Sequence, residues 1–337
     1  MNEITTIGVD LAKSVFQLHG VSSEGNVVLR RQLRHSQMLE FFQTMPGCLV
    51  GMEACASAHN WARALAELGH EVRLMQPSYV KGYVKRGKTD QADAEAICEA
   101  VTRPSMRFVP TKSEATQGRL VIHKAREFQE RQRTQIVNAI RAHLGEFGIV
   151  IPKGIHKIDR LIAACDEAKL PVPARKALNL LAGQLTDTQK QIEDLTSEVP
   201  RNAVTDEAAR RLQTIPGIGP ISADALVAAL PDISDFRSGR DLSAWIGLTP
   251  KPHSSGGKER PGRISKMGNS YLRRLLYLGA MAQVSARRRG KPGNNWLWGI
   301  IQRKKPKQAA IALANRMSRT VYALLRDGTE FQVAQAT

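Results

Sequence analysis

The chain has 337 residues, 42% hydrophobic and 24% charged, with a net charge of +18. That length suits two or three domains with a sizeable core, and it contains neither an apolar run long enough to cross a bilayer nor the basic and apolar regions of a signal peptide. We therefore expect no membrane partner. The four cysteines fit no zinc-binding spacing and their number does not indicate disulfides in a chain of this size, so we expect a cytoplasmic protein in a reducing compartment.

The positive charge is concentrated in the C-terminal part of the chain. Residues 1–110 carry 12 Lys and Arg against 11 acids, whereas residues 237–310 carry 17 Lys and Arg against two acids. A merely solubilising surface normally mixes both signs. A segment with such an excess attracts phosphate backbones and releases their counterions, so we expect it to bind a polyanion, with nucleic acid as the partner.

The N-terminal sequence predicts three antiparallel strands followed by alternating helices and parallel strands. The segment TTIGVDLAKSVFQLHGVSSEGNVVLRRQL alternates as strand, turn, strand, turn and strand. CLVGME is a short buried strand, SAHNWARALAELGH has helical spacing, and EVRLMQP is a further strand. This order is that of the ribonuclease-H-like (RuvC-like) fold with a mixed sheet, which we assign to residues 1–112.

Two aspartates, Asp90 and Asp93, stand at the start of the next predicted helix, in GKTDQADAEAI. Asp90 as the N-cap and Asp93 at the third helical position would satisfy free backbone amides, which is a structural explanation. Their spacing of three also puts both carboxylates on one helix face, where they could share a metal ion. The two roles are compatible.

Two further acids stand at the ends of predicted strands, Asp10 in GVD and Glu53 in GME. In a ribonuclease-H-like sheet these strands are neighbours, and their ends face the helix of Asp90 and Asp93. Four convergent carboxylates repel one another unless hard cations neutralise them, and oxygen ligands suit Mg²⁺ or Mn²⁺. Two such ions about 4 Å apart would stabilise the attacking and leaving oxygens of a phosphodiester displacement. We therefore predict that these four acids are catalytic and bind metal.

Residues 113–200 predict a helical arm. One long helix runs from about Ser113 to Phe147, and a second runs from about Pro173 to Glu198 after the interruption GIVIPKG. On the second helix, six positions follow a 3,4,3,4,3 spacing marred by one threonine: Leu178, Leu181, Leu185, Thr188, Ile192 and Leu195. An ordinary core-facing helix shows the same pattern over this length. We expect an antiparallel coiled coil that serves oligomerisation.

Residues 201–337 predict a mainly α-helical domain that includes a helix-hairpin-helix. In LQTIPGIGPISADALVAAL, two apolar helices flank Pro-Gly-Ile-Gly-Pro. The glycines allow a tight turn whose amides face a phosphate at the start of the second helix. Such a motif grips DNA backbones without reading sequence. We predict nucleic-acid contacts at Gly217, Ile218 and Gly219.

The basic segment that follows predicts further backbone contacts. SKMGNSYLRRLLYLGAM has the pattern of an amphipathic helix and SARRRGKPGNNW that of a loop. The predicted contacts are Lys258, Arg260, Arg263, Lys266, Arg273, Arg274 and Arg287–Arg289. The stretch Ser-Ser-Gly-Gly in GLTPKPHSSGGKER is typical of a flexible loop. A serine walled by basic residues is also suitably placed to attack a phosphate.

Five motifs occur in order along the chain: IGVDLAK, GMEACASAHNWA, KTDQADAEAI, IPGIGPISA and WIGLTPKPHSSGGKERPGRISKMGNSYLRRLLY. Together they resemble the D-E-D-D transposases of bacterial insertion sequences, also called bridge-RNA-guided recombinases, over nearly the whole chain. The resemblance implies a RuvC-like catalytic domain, a coiled-coil arm and a C-terminal transposase domain. It implies a tetramer that acts on donor and target double-stranded DNA with a structured guide RNA. It also implies a catalytic serine, which the register after GLTP puts at Ser255, with Ser254 one residue away.

Three functions are compatible with these features. The first is an RNA-guided DNA recombinase with a metal-dependent, covalent phosphoserine mechanism. The second is a RuvC-like endonuclease or junction resolvase that hydrolyses DNA, in which Ser255→Ala would leave cleavage intact. The third is a nucleic-acid-binding protein without catalysis, in which the four acids would affect stability alone. The acids and the serine together favour the first.

Overall fold

The structure, a computed structural model, describes residues 3–84, 89–154, 157–167, 169–230, 232–255, 258–290 and 296–332. The side chains of residues 200, 202, 252–255 and 258–261 lie outside that description. The chain divides into two compact units, residues 1–114 and residues 115–337. Within the described ranges, no helix combines the length and the apolar character that crossing a membrane requires.

The N-terminal unit is built on a six-stranded mixed sheet in the order β3-β2-β1-β4-β5-β6. Its strands are β1 (Ile4–Leu11), β2 (Val15–Ser22), β3 (Val27–Arg34), β4 (Leu49–Glu53), β5 (Glu71–Met75) and β6 (Phe108–Val109). The first three form an antiparallel meander, β4 pairs parallel with β1, and β5 pairs parallel with β4. The predicted strand order and the mixed sheet are therefore confirmed, and the short antiparallel β6 is an addition that the sequence pattern did not indicate.

The α-helices in the described part of this unit are α1 (Met38–Gln43), α2 (Ala58–Glu67), α3 (Pro77–Val80) and α4 (Asp90–Val101). Helix α4 packs on β1, β2 and β4, and α2 packs beside β5. The central strand β1 is buried on both faces, with Ile7 and Val9 fully inaccessible. Helix α4 lies so close to β1 that a Cβ on Gly8 would stand 2.3 Å from the carbonyl oxygen of Ala94. Glycine at this position therefore lets α4 pack directly on the strand that bears Asp10.

The second unit begins with a helical arm of α5 (Glu114–Glu146), α6 (Ile158–Glu167) and α7 (Val172–Thr205). Helices α5 and α7 are antiparallel, because Arg126 donates to Thr196 at 2.8 Å and Arg133 donates to Gln189 at 3.1 Å. The two long predicted helices are confirmed, whereas α6 was not predicted. Helix α7 continues past residue 200, where the sequence predicted a domain boundary. That boundary stays a prediction, and so does the coiled-coil interpretation of the arm.

The apolar seam of α7 agrees with the spacing in the sequence. Leu178, Leu185 and Ile192 are buried, and Thr188 is buried among them. The hydroxyl of Thr188 donates to the carbonyl oxygen of Gln184 at 2.7 Å, so its polar atom is satisfied within its own helix. One threonine therefore interrupts the heptad pattern without leaving an unpaired buried group.

The rest of the second unit is a helical bundle with one small sheet. Its helices are α8 (Glu207–Gln213), α9 (Pro220–Ala229), α10 (Gly239–Ile246), α11 (Ser270–Arg289), α12 (Trp296–Arg303) and α13 (Pro306–Asp327). Strands β7 (Pro250–Ser255) and β8 (Lys258–Ile264) form an antiparallel hairpin of their own. Two local expectations were wrong: Ser254 and Ser255 belong to strand β7 rather than to a loop, and Arg287–Arg289 end helix α11 rather than lie in a loop. The two glycines after Ser255 lie outside the described residues.

Candidate functional site

Two of the predicted acids stand at the same edge of the N-terminal sheet. In the parallel pair of β1 and β4, Val9 lies opposite Met52. Asp10 and Glu53 are the next residues of the two strands, and both are partly buried. The apolar residues before them are fully buried, so burial of the strands fixes both acids at the carboxyl edge of the sheet.

Helix α4 supplies the other two acids, and a different residue caps it. The N-cap is Thr89, whose hydroxyl accepts a hydrogen bond from the amide of Ala92 at 3.2 Å. The capping roles expected for Asp90 and Asp93 were therefore wrong, because both residues lie inside the first turn. Their carboxylates are left available for another function, in a turn whose backbone favours negative charge.

The carboxylates of Asp10, Asp90 and Asp93 converge. One oxygen from each lies within 4.8 Å of the others. Glu53 lies close enough to Asp10 and Asp93 for their negative charges to repel its own. No ion pair to any of these four acids occurs in the ranges the structure describes, which omit residues 85–88 just before the helix.

Burial and the proximity of like charges raise the pKa values of two acids in this cluster, Asp10 and Glu53. Burial raises the pKa of Asp10, and the charges of Asp93 and Asp90 raise it further. Burial also raises the pKa of Glu53, with added repulsion from Asp10 and Asp93. The folded N-terminal unit therefore holds negative charge that it does not neutralise with its own described side chains.

A divalent cation fits this site. The donor set consists of carboxylate oxygens alone, which is the ligand chemistry of Mg²⁺ and Mn²⁺. The raised pKa values of Asp10 and Glu53 mean that the folded protein disfavours the charged forms of these two acids, and a bound cation would favour them. Asp10, Asp90 and Asp93 are the residues that would hold it, with Glu53 beside them.

The predicted serine stands at the end of β7, in the second unit. In the register of the hairpin, Ser255 is opposite Lys258, Ser254 is opposite Glu259 and His253 is opposite Arg260. The side chains of these six residues lie outside the described set, as do Gly256 and Gly257. The strands on either side of Gly256 and Gly257 could have been predicted, because Gly-Gly between two short extended segments is a sequence signal for a β-hairpin.

The other predicted nucleic-acid contacts fall into two groups. Arg263 and Lys266 are exposed. Arg273 instead donates to the carbonyl oxygens of Ile246 and Met267, at 2.7 and 3.0 Å. Contact of Arg273 with nucleic acid stays a prediction, but part of its guanidinium already has protein partners.

Arg274 is also engaged within the protein. It forms ion pairs with Glu130 at 3.0 Å and with Glu127 at 3.7 Å, and its guanidinium lies over the ring of Tyr271. The acids of REFQERQR on α5 were the sequence signal for such partners. They stand three residues apart, on one helix face.

The predicted hairpin of Gly217, Ile218 and Gly219 lies between α8 and α9. It packs against α11, where Gln283 donates to the carbonyl oxygen of Pro216 at 2.5 Å. A cavity of about 300 Å³ adjoins Gly217 and Gly219 and is also lined by Arg126, Glu130 and Arg274. The start of α9 therefore opens beside two arginines and one acid, and its contact with nucleic acid stays a prediction.

A buried ionic network in the second unit was not anticipated from the sequence. Asp224, with 1% of its side chain exposed, accepts hydrogen bonds from Arg119 at 2.9 Å and from His123 at 2.8 Å. Arg119 also donates to Asp206, at 2.8 Å, and the hydroxyl of Tyr271 lies 3.1 Å from Nδ1 of His123. Burial alone would raise the pKa of Asp224, but the bonds from His123 and Arg119 outweigh it and lower that pKa. The network joins α5, α8, α9 and α11.

Comparisons with known proteins agree with this arrangement. A family model described as "Transposase IS116/IS110/IS902 family" matches residues 209–292, and a second, DEDD_Tnp_IS110, described as "Transposase", matches residues 7–149. A Pseudomonas aeruginosa protein described as "Probable family 20 transposase" is 45% identical over 96% of this chain and 97% of its own length. The transposase for insertion sequence element IS1328 of Yersinia enterocolitica is 39% identical, over 98% and 99%. A more distant relative, the pilin gene-inverting protein of Moraxella bovis, is 25% identical over 78% and 74%.

Proposed function

Because this chain belongs to the IS116/IS110/IS902 family of transposases, we propose that it is a metal-dependent DNA recombinase with a serine nucleophile. It cleaves and exchanges strands of donor and target duplexes, and a structured guide RNA selects both sites. Its working form is a homo-tetramer. The pilin gene-inverting relative, whose name describes inversion of a DNA segment, supports recombination over simple degradation.

The observation that carries this proposal is the convergence of Asp10, Asp90 and Asp93 beside Glu53, without a compensating cation among the described residues. Bound Mg²⁺ or Mn²⁺, as one ion or two, would supply positive charge to the phosphate oxygens of DNA at this edge of the sheet. The acids would hold the ion in place, and the buried residues before Asp10 and Glu53 fix the positions of these two acids.

The serine contributes the covalent step. The hydroxyl oxygen of Ser255 attacks the phosphorus of one phosphodiester, and its proton is lost as the new oxygen–phosphorus bond forms. The bond to one deoxyribose oxygen breaks, and that oxygen takes up a proton to become a free hydroxyl. Attack by the hydroxyl of another strand reverses these steps, so the phosphodiester energy is conserved and no nucleotide cofactor is consumed.

The resemblance to the family assigns the nucleophile to Ser255, and Ser254 is the alternative one residue away. In the backbone register of the hairpin, Ser255 is paired with Lys258 and Ser254 is paired with Glu259. The variants Ser255→Ala and Ser254→Ala therefore test the two candidates separately.

The basic segment and the turn between α8 and α9 position the nucleic acid. With recognition delegated to base pairing in the guide RNA, protein side chains need to hold phosphates and do not need to read bases. The metal-bound acids of one subunit and Ser255 of another then form a composite site. This arrangement would restrict cleavage to the assembled complex and would leave DNA that is not paired with the guide RNA uncut.

The proposal is tested with purified protein, guide RNA, Mg²⁺ and end-labelled DNA, resolved on a denaturing protein gel. We expect label on the wild-type protein and on Ser254→Ala, and none on Ser255→Ala or Asp93→Ala. Free cut DNA that persists in Ser255→Ala would instead identify a RuvC-like endonuclease or resolvase that uses water. Intact DNA in every sample, with binding unaffected, would leave a binding protein without catalysis.

A further inference from the structure

The base of the β7–β8 hairpin is closed against the end of helix α10. Pro250 at the start of β7 is paired with Ile264 at the end of β8. Beyond them, the amide of Ser265 donates to the carbonyl oxygen of Thr249 at 2.8 Å. Both arms of the hairpin therefore leave the helical core from one narrow crossing.

The backbone segments at this crossing are packed so closely that two of its glycines could not accommodate a Cβ atom without movement. Gly247, the C-cap residue that follows α10, has φ 81°, and a Cβ there would stand 2.0 Å from the carbonyl oxygen of Met267. Gly268, with φ 75°, faces Trp245 equally closely, since its Cβ would lie 1.8 Å from that residue's carbonyl oxygen. Lys266, just before Met267 and Gly268 in the chain, adopts φ 56°, and its amide donates to the carbonyl oxygen of Gly247 at 3.2 Å. The backbone here is held in a conformation that few sequences adopt.

The side chain of Arg273 connects the end of helix α10 with the segment that follows strand β8. Nη1 of Arg273, on α11, donates to the carbonyl oxygen of Ile246 at 2.7 Å and to that of Met267 at 3.0 Å. Ile246 is the last residue of α10, where helix carbonyls lack partners within the helix. The same nitrogen therefore caps α10 and fixes the segment by which the hairpin returns to the core.

A two-stranded hairpin has little stability of its own, so its direction depends on its attachment. The strands β7 and β8 form a separate sheet from the one in the N-terminal unit. We infer that Arg273 is a positioning residue for the Ser255 nucleophile, acting through the base of the hairpin rather than on the phosphate. The inference rests on the proposed function.

This role differs measurably from the phosphate contact that the sequence suggested for Arg273. A phosphate contact contributes to affinity, and its loss lowers the slope of binding against salt by about 0.9. A positioning residue leaves affinity and salt slope unchanged and slows the covalent step, because small displacements of a reacting group cost about a hundredfold in rate.

The experiment uses full-length protein with guide RNA and labelled DNA, in wild type, Arg273→Ala, Arg273→Lys and Gly247→Ala. The rate of covalent protein–DNA formation is measured at saturating DNA, and the dissociation constant is measured over a potassium chloride series. We expect Arg273→Ala and Gly247→Ala to slow the covalent step by about a hundredfold with unchanged salt slope. Arg273→Lys should recover most of the rate, since an ammonium can also donate to two carbonyls.

Two controls separate the possible roles. Arg288→Ala, an exposed arginine on the same helix, is the comparator for a phosphate contact and should lower the salt slope. Hydrogen exchange read by mass spectrometry should show faster exchange in β7 and β8 of Arg273→Ala, with α11 and α13 as protected as in wild type. Gly247→Ala disturbs the same crossing without removing a charge, so its agreement with Arg273→Ala would support the inference.

Three outcomes would overturn it. A normal covalent rate with a reduced salt slope in Arg273→Ala would make Arg273 a phosphate contact. Loss of protection throughout residues 115–337 would make its role one of general stability. Absence of a Ser255-dependent product in the wild type would remove the proposed function itself, and the inference with it. That last result is distinguishable from the others because it appears before any Arg273 variant is compared.

Discussion

Asp10 in the N-terminal unit is partly buried and Asp224 in the C-terminal unit is almost fully buried, and the charges around these two aspartates are opposite in sign. Asp10 lies among other acids, and its pKa is raised. Asp224 accepts hydrogen bonds from Arg119 and His123, and its pKa is lowered. The folded protein therefore supplies cationic partners for the carboxylate of Asp224. It supplies none for Asp10 among the described residues, so the charge of Asp10 requires an external cation. The difference separates a carboxylate that stabilises a fold from carboxylates that are kept for chemistry.

The largest effect that follows from this contrast is on catalysis. Replacing Asp93 by Asn removes one ligand and one negative charge, and we expect DNA cleavage to fall roughly a thousandfold, since bound metal contributes several kcal/mol to such reactions. Strand cleavage in Mg²⁺ is the measurement. Glu67→Gln, at an exposed position on α2, is the matched control and should cleave as the wild type does. Equal activity of both variants would make the acid cluster structural.

The next largest effect is on the stability of the second unit. Asp224→Asn leaves Arg119 and His123 with a neutral partner in a buried site, and loss of one member of a buried pair costs about 3–5 kcal/mol. Hydrogen exchange of peptides from α5, α9 and α11 reports this loss. Asp194→Asn, at an exposed position on α7, should change stability by no more than about 0.5 kcal/mol. Unaltered exchange in Asp224→Asn would show that the network is dispensable.

Metal binding should distinguish the two units directly. At an Mn²⁺ concentration of about one hundred times the dissociation constant, a single-site ligand stabilises its folded domain by about 2.7 kcal/mol. We expect slower exchange in β1, β4 and α4, with no change in residues 115–337. Asp10→Asn should abolish the response, and it should leave the metal-free N-terminal unit slightly more stable than wild type because one repelling charge is removed. An equal response of both units would indicate nonspecific binding.

The smallest effect is a pH dependence of opposite sign in the two units. Asp10 and Glu53 have raised pKa values in the folded state, so folding takes up protons and the metal-free N-terminal unit gains stability as the pH falls through these raised values towards the ordinary carboxylate range. Asp224 has a lowered pKa, so its contribution is present above the ordinary aspartate pKa and is lost as the pH falls through its own lower value. Exchange corrected for its intrinsic pH dependence measures both trends. A flat profile in the N-terminal unit of the wild type would contradict the electrostatic account of the cluster.

The sequence predicted those parts of the site that depend on local pattern. Strand alternation and buried runs located Asp10 and Glu53 at strand ends, and helical spacing located Asp90 and Asp93 on one face. The order of elements then predicted that the acids meet, as the structure shows for Asp10, Asp90 and Asp93. Each of these inferences needs only neighbours a few residues away and the regularity of a parallel sheet.

The parts that could not be predicted depend on partners distant in sequence. Asp224 lies 105 residues from Arg119 and 101 from His123, and nothing in the local pattern of either helix identifies the other. The hydrogen bonds of Arg273 to the carbonyl oxygens of Ile246 and Met267 could not be predicted from its basic run, because every sequence offers backbone carbonyls equally. An arginine's preference for solvent or protein is decided by packing, which a single sequence does not display.

The antiparallel pairing of α5 and α7 restricts how this protein can change in length. Arg126 bonds to Thr196 and Arg133 to Gln189, so a step of seven residues along one helix matches seven in the reverse direction on the other. An insertion in one helix alone would shift every pair beyond it. Evolution can therefore lengthen or shorten the arm through matched insertions or deletions in both helices, with whole heptads preserving the buried faces. If the pair is a coiled coil, the length of the arm is therefore expected to change in steps of about two helical turns.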